Sequence, residues 1–557
     1  MKNPSAIRRF SLAIAAWIAI TAPARAADTP AAANYGTLVL LFEDWRTFER
    51  PPMKDGAPDY TAATFERRHR QLAEYRRRLD SIDLSGWPAE ARVDHMLVTA
   101  EMNGFDFYVR VLQPWARDPA FYQSVWNEQS DTPAHEGSEH HGIVELWTYA
   151  YPLSADAQSK LARELAIVPP LLAQAEGNLT GNARDLWITG TGTMRQQVES
   201  LDALAKKTAG SARPLQDAIR AAREATVRFV EWLDTQASSK NGPSGIGREN
   251  YTWSLRNVHL VPMTWEEEAD LLKRELARSH AALKLEEERN RGLPELPVIQ
   301  SPEEYERRAN EAVTRYLAFL ERRKLYPMRA SMDPALRAKI GRFEPLETRN
   351  FFAIATHYEP LTLYTHFYHW WDLARMRDEP HPSPIRRRPL LYNIWDSRAE
   401  GMATAMEEWM LNAGLFDDQP RAREIVWIML AQRAARGLAS LYAHANLFDL
   451  QQSKAFQVEW TPRSWMRPDL DLLGFEQQLY LRQPGYGTSY VTGKHLLEHL
   501  IRVRAHQLGA DFSMYRLFDE VNGAGMIPVS MIHWQLTGAD VEAQAFLSGT
   551  GTWMGSP

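Results

Sequence analysis

Apolar residues recur at three- and four-residue spacing through long charged stretches of this chain. "ATFERRHRQLAEYRRRLDSI" (63–82), "PLQDAIRAAREATVRFVEWLDTQ" (214–236) and "TWEEEADLLKRELARSHAALKLEEERNR" (264–291) each place their apolar positions on one face of a 3.6-residue period. Strand-like alternation is scarce. Thr264 ahead of "WEEEAD" and Ser301 ahead of Pro302-Glu303-Glu304 read as helix N-caps. The pattern breaks at 238–250 ("SSKNGPSGIGREN"), 289–304 and 377–389 ("RDEPHPSPIRRRP"). These observations predict an all-α fold with little β structure: an N-terminal helical region over 27–250 and a C-terminal one over 251–557. Together they would form one continuous catalytic-type fold.

Composition changes the picture at the N-terminus. A basic start, the short apolar run "SLAIAAWIAITA" and the small-x-small ending "PARA" predict a secretory signal peptide over 1–26, cleaved after Ala26. The sequence contains no cysteine, so neither a lipid-attachment cysteine nor a disulfide is available. No later run is long and apolar enough to anchor in a membrane. The expectation is a periplasmic or secreted protein without a membrane anchor. A net charge of −6 gives no basic footprint for nucleic acid. The 19 tryptophans and 20 tyrosines imply a large aromatic core or an aromatic-walled pocket.

"AHEGSEHH" (134–141) imitates a zinc-hydrolase helix of the H-E-x-x-H type. On an ideal helix, however, the five-residue step from His135 to His140 rotates the second imidazole by about 140° from the first. Pro133, Gly137 and Gly142 also argue for a loop. The stretch is expected to be dispensable for metal binding.

Other blocks carry a resemblance. "RAEGMATAMEEWMLNAGLFDD" (398–418), "QRAARGLASLYAH" (432–444), "PGYGTSYVTGKHLLEHLIR" (484–502) and "DFSMYRLFDEVNGAGMIPVSMI" (511–532) follow one another in order. "ARVDHMLVTAEMN" and "ARDPAFY" lie upstream. In these blocks the chain resembles the bacterial domain-of-unknown-function 885 family, whose members look like helical zinc metallopeptidases. The resemblance implies that Glu400 is the glutamate of the family's E-G-W block and that the metal helix lies near 357–372. His366 stands 34 residues before Glu400. The chain departs from the family there. Phe367 replaces the general-base glutamate, the Pro-Gly-His-His portion is absent, and Met402 and Ala405 replace a tryptophan and a tyrosine.

Residues three apart on a helix share a face, so His366 and His369 are candidate ligands for one divalent cation. Glu400 would complete a three-ligand zinc set with a position left open, and Asp372 is a further candidate. His357, with Glu359 nearby, is an alternative; the competing possibility is that these histidines are hydrogen-bonded core residues. The resemblance implies that Tyr490 and His444 face the pocket and stabilise developing negative charge. Arg433 and Arg436, one turn apart, are candidates for binding a substrate carboxylate or for scaffold ion pairs. With Phe367 in place of a base, the proton acceptor would be Glu359, Asp372 or Glu407. The expected function is a metallopeptidase-like hydrolase of short peptides or amide-like small molecules. The alternatives are a non-catalytic pseudo-peptidase that binds a ligand or partner in the cleft, and an enzyme repurposed for a non-peptide substrate.

Overall fold

The computed structural model describes residues 30–134, 141–470 and 472–538; the signal-peptide expectation over 1–26 lies outside them. The helices that build the site region run in chain order. They are α1 (Pro30–Glu49), α2 (Ala62–Asp80), α3 (Ala89–Phe107), α4 (Arg184–Lys207), α5 (Arg213–Gln236), α6 (Trp265–Arg289) and α7 (Pro302–Arg323), followed by α8 (Pro360–Tyr364), α9 (Tyr368–Asp378), α10 (Asp396–Asn412), α11 (Pro420–His444), α12 (Leu472–Arg482), α13 (Tyr486–Leu508) and α14 (Val529–Thr537). The all-α expectation holds. The strands among the described residues are two-residue pairs: Met53–Lys54 with Ala57–Pro58, antiparallel, and Val125–Trp126 with Val144–Glu145, parallel.

Local chemistry accounts for the helix starts. Thr264 Oγ1 accepts from the Glu267 amide while the Glu267 carboxylate accepts from the Thr264 amide, a complete capping box at α6. Ser301 caps α7 through the Glu304 amide. One buried apolar cluster runs from Leu38 to Trp534 and takes in residues on both sides of position 250. A buried ion pair also crosses that division: Arg386 Nε lies 2.5 Å from Asp94 on α3.

Two glycines set the register that matters for the site. Gly401 on α10 lies against Gly493 on α13. A Cβ on Gly493 would sit 2.1 Å from the Ser397 carbonyl oxygen, and one on Gly401 would sit 2.5 Å from Gly493 Cα. Only hydrogen at both positions lets the two backbones approach this closely. The crossing fixes Glu400, next to Gly401, against the first turns of α13 and its tyrosines. Gly485, at a left-handed φ of 93°, turns the chain into α13.

The parallel pair at 125–126 and 144–145 has a second consequence. It clamps both ends of the loop between them, aided by Gln197 Oε1, which accepts from the Ser124 and Val125 amides at 2.7 and 3.0 Å. That loop carries Asp131.

Candidate metal centre

The candidate histidines do not lie on one continuous helix. His366 sits in the tight turn between α8 and α9, where its amide donates to Leu363 O at 2.9 Å and the Phe367 amide donates to Tyr364 O at 3.2 Å. His369 lies in the first turn of α9. Hydrogen bonds of the i to i+3 type keep both rings on one side, 5.0 Å apart and nearly perpendicular. From α10, Glu400 reaches both: its Oε2 lies 3.1 Å from His369 Nε2 and 3.7 Å from His366 Nε2. His366, His369 and Glu400 each offer a ligand atom, all within 4.8 Å of one another, and all three residues are buried. In a tetrahedral zinc site with bonds near 2.1 Å, ligand atoms are about 3.4 Å apart. The two imidazole–carboxylate separations bracket that value, so the donor set fits a zinc-sized ion.

The surrounding groups orient these ligands. Glu407, two helical turns beyond Glu400 and so on the same face of α10, lies 2.9 Å from His366 Nδ1. Arg433 pairs with Glu407 and also approaches Nδ1, at 3.2 Å. Glu407 and Arg433 compete for Nδ1: a proton on Nδ1 points at the closer Glu407 carboxylate, and Arg433, which can only donate, then serves Glu407 rather than the ring. That tautomer leaves Nε2 as a lone-pair donor facing Glu400, the arrangement in which an outer carboxylate orients a ligating histidine. Tyr486 donates its hydroxyl to Glu400 Oε1 and leaves Oε2 for the histidines.

Electrostatics follow from these contacts. Burial opposes ionisation of Glu400, but His369, His366 and the Tyr486 hydroxyl overcome it and hold the carboxyl down at about 2. Burial and the Arg433 charge push His366 down to about 4. Burial also works against protonation of His369, yet Glu400 and then Asp131 raise it to about 9.

A cavity of about 220 Å³ opens on this cluster; His366, Glu400, Phe367, Arg433, Arg436 and Tyr490 are among its lining residues. Asp131 also lines it. Burial raises the Asp131 carboxyl above its usual range; His369 opposes the rise and Glu400 adds to it. Sequence reasoning passed over Asp131 because it comes from a loop far upstream, with no local motif to mark it. The Tyr490 ring stacks on His366 at 6.2 Å between centroids.

The other sequence-stated candidates lie elsewhere. Asp372 faces away, held by Arg375 at 2.6 Å and Arg398 at 3.4 Å. Glu359 caps α8 through the Leu361 amide and accepts from Gln419. Glu407 is paired with Arg433 and His366 rather than open to the cavity. His444 is not among the lining residues; its Nε2 lies 2.8 Å from Tyr480 O. His357 is a hydrogen-bonded core residue, with Nδ1 donating to Ala353 O and Nε2 accepting from the Glu344 amide. Of "AHEGSEHH", residues 135–140 lie outside the described residues, and His141 pairs with Glu49 at 3.1 Å.

Comparison with known proteins gives the family and the fold. A search of curated proteins finds no match. Among solved structures, a protein described as a lipoprotein of unknown function from Shewanella oneidensis superposes with a TM-score of 0.65 at 14% identity, covering 91% of this chain and 98% of that one. A protein described as a lipoprotein from Colwellia psychrerythraea gives a TM-score of 0.64 at 12% identity, covering 92% and 99%. At these identities the likeness shows the fold alone. The family described as "Bacterial protein of unknown function (DUF885)" matches residues 45–350, more than half of the chain. That segment carries Asp131 and ends shortly before His366. The chain therefore belongs to the DUF885 family.

Proposed function

We propose that this protein is a metal-dependent hydrolase of short peptides or amide-like small molecules, exported to the periplasm or beyond. The observation that carries the reading is the convergence of His366, His369 and Glu400, two of which, His366 and Glu400, line a cavity, with Glu407 beside His366 Nδ1. Two imidazoles and a carboxylate suit zinc, with a fourth position left to the cavity. Zinc held by these residues supplies Lewis acidity and lowers the pKa of water.

The chain's own groups do the rest. Asp131 takes the place of the base missing at Phe367: it lines the same cavity, and its raised carboxyl is a stronger proton acceptor than an ordinary aspartate. Phe367, stacked on Tyr364 at 4.9 Å, contributes an apolar wall that keeps water from the reacting group. Tyr490, a buried lining residue stacked on His366, would stabilise negative charge developing on a carbonyl oxygen.

The test is hydrolysis of a panel of N-acyl dipeptides by zinc-loaded protein, wild type against Asp131→Asn. The expected result is a fall of roughly 10²–10⁴ in kcat with zinc content unchanged. Cleavage that persists unaltered in both Asp131→Asn and Glu400→Gln would refute the assignment. A second reading, a binding protein without catalysis, is favoured by Phe367 standing where the family's base is expected. It predicts metal and ligand binding with no turnover in the wild type.

A further inference from the structure

Helix α12 leaves the wrong kind of residue in water. Phe475 is 46% exposed, whereas Leu473 and the run from Glu476 to Leu481 on the same helix are buried. A lone exposed apolar side chain needs no explanation, but Phe475 is not alone. Leu472, Phe475 and Leu479 are spaced by three and four residues, share one face of α12 and all line the cavity that His366 and Glu400 line.

Three further apolar residues lining that cavity come from another part of the chain: Phe352, Leu363 and Phe367. The His366 amide donates to Leu363 O at 2.9 Å and Phe367 is the next residue, so the two side chains flank the ligand histidine within one turn. The apolar surface therefore begins beside a candidate metal ligand and includes, at Phe475, a ring open to solvent. A second copy of the chain laid over the mouth would cover Phe475 but not reach Leu363 and Leu479, which are only 8% and 5% exposed. A cavity of about 220 Å³ admits a small molecule that touches all of them.

We infer that this surface is the subsite for a large apolar side chain, aromatic or branched aliphatic, on the residue next to the amide under attack. The substrate class is then N-acyl amino-acid amides and short peptides that carry such a side chain, in preference to small or charged ones. That the bound amide is cleaved rests on the metal-dependent hydrolase reading above; the apolar recognition rests on the cavity wall.

The experiment is isothermal titration of full-length protein, zinc-loaded and chelator-treated, with two uncharged probes, N-acetyl-L-phenylalaninamide and N-acetylglycinamide. The phenylalanine probe should bind at least about tenfold more tightly in both preparations, because taking its ring out of water is worth more than that factor. Phe475→Ser should cut the preference by about threefold or more, and the exposure of Phe475 lets this variant keep the buried core. Leu285→Ala, which removes an equally open side chain that does not line the cavity, should leave the preference as in the wild type. Equal binding of the two probes, or binding of neither, overturns the inference, as does an undiminished preference in Phe475→Ser. A wild-type dimer that Phe475→Ser dissociates, seen by sedimentation without discrimination between the probes, would assign the ring to a second copy and overturn it too. Hydrolysis of the phenylalanine probe, followed on the same samples, reports separately on the hydrolase reading: a preference without turnover leaves the subsite standing and removes the enzyme.

Discussion

At the residue scale, the site depends on what stands behind each ligand. Glu407 fixes the tautomer and orientation of His366, and losing such a partner typically costs about 10–100-fold in metal affinity. Glu407→Gln is expected to weaken zinc binding by that factor in a competition titration, with the fold intact by circular dichroism. An unchanged affinity would mean that His366 needs no orienting partner. Replacing His135, His140 and His141 together should leave zinc content as in the wild type; a loss equal to that of His366→Ala would bring the loop into the site. The meeting of His366, His369 and Glu400 was legible in the sequence, since Glu400 could be placed from its block and the histidines by their distance from it. Asp131 was not legible, because it enters through a loop whose position depends on a two-residue parallel pairing and on Gln197. Asp372 and Glu359 looked suitable by proximity in sequence, but nearby arginines and a helix N-terminus claim them.

At the scale of elements, the two blocks that carried the family resemblance meet in space. Gly401 follows Glu400 in one, Gly493 follows Tyr490 by three in the other, and the two glycines touch where α10 crosses α13. The motif glycines thus record a helix crossing, and the crossing holds Glu400 against Tyr486. Gly493→Ala would force a methyl group into the Ser397 carbonyl. Overpacking of this kind costs about 1–3 kcal/mol, so the variant should unfold at lower denaturant concentration than the wild type and lose zinc affinity as Glu400 shifts. Unchanged stability and affinity would show that the helices separate at no cost. Periodicity in the sequence identified the helices and their caps. It did not reveal the break between α8 and α9 that places His366 in a turn, because "THFYHWWDLARM" contains no proline or glycine to mark it.

At the scale of the whole molecule, the chain buries titratable groups that couple its stability to pH. His259 and His444 lie in the interior, where burial holds each imidazole down at about 4. An unfolded histidine takes up its proton near 6.5. Between these values the unfolded chain binds more protons, so stability is fully present above 6.5 and is lost as pH falls through 4. Each histidine is worth on the order of 3 kcal/mol across that window. Glu268 acts in the opposite sense: burial raises its carboxyl to about 7, so its contribution is present below the unfolded value and lost as pH rises through 7. Urea denaturation between pH 4.5 and 7 should show stability rising with pH, and Glu268→Gln should make that rise steeper. A variant with a flatter profile than the wild type would contradict the account of Glu268.

The central claim is that His366, His369 and Glu400 together hold one metal ion, and metal analysis of the full-length protein tests it most directly. Protein purified without chelator, reloaded with zinc and passed through a desalting column should retain about one zinc per chain. His366→Ala, His369→Ala and Glu400→Gln should each abolish that retention, while Asp372→Asn should preserve it. Wild-type protein that retains no zinc, or retention that survives all three ligand substitutions, would contradict the account.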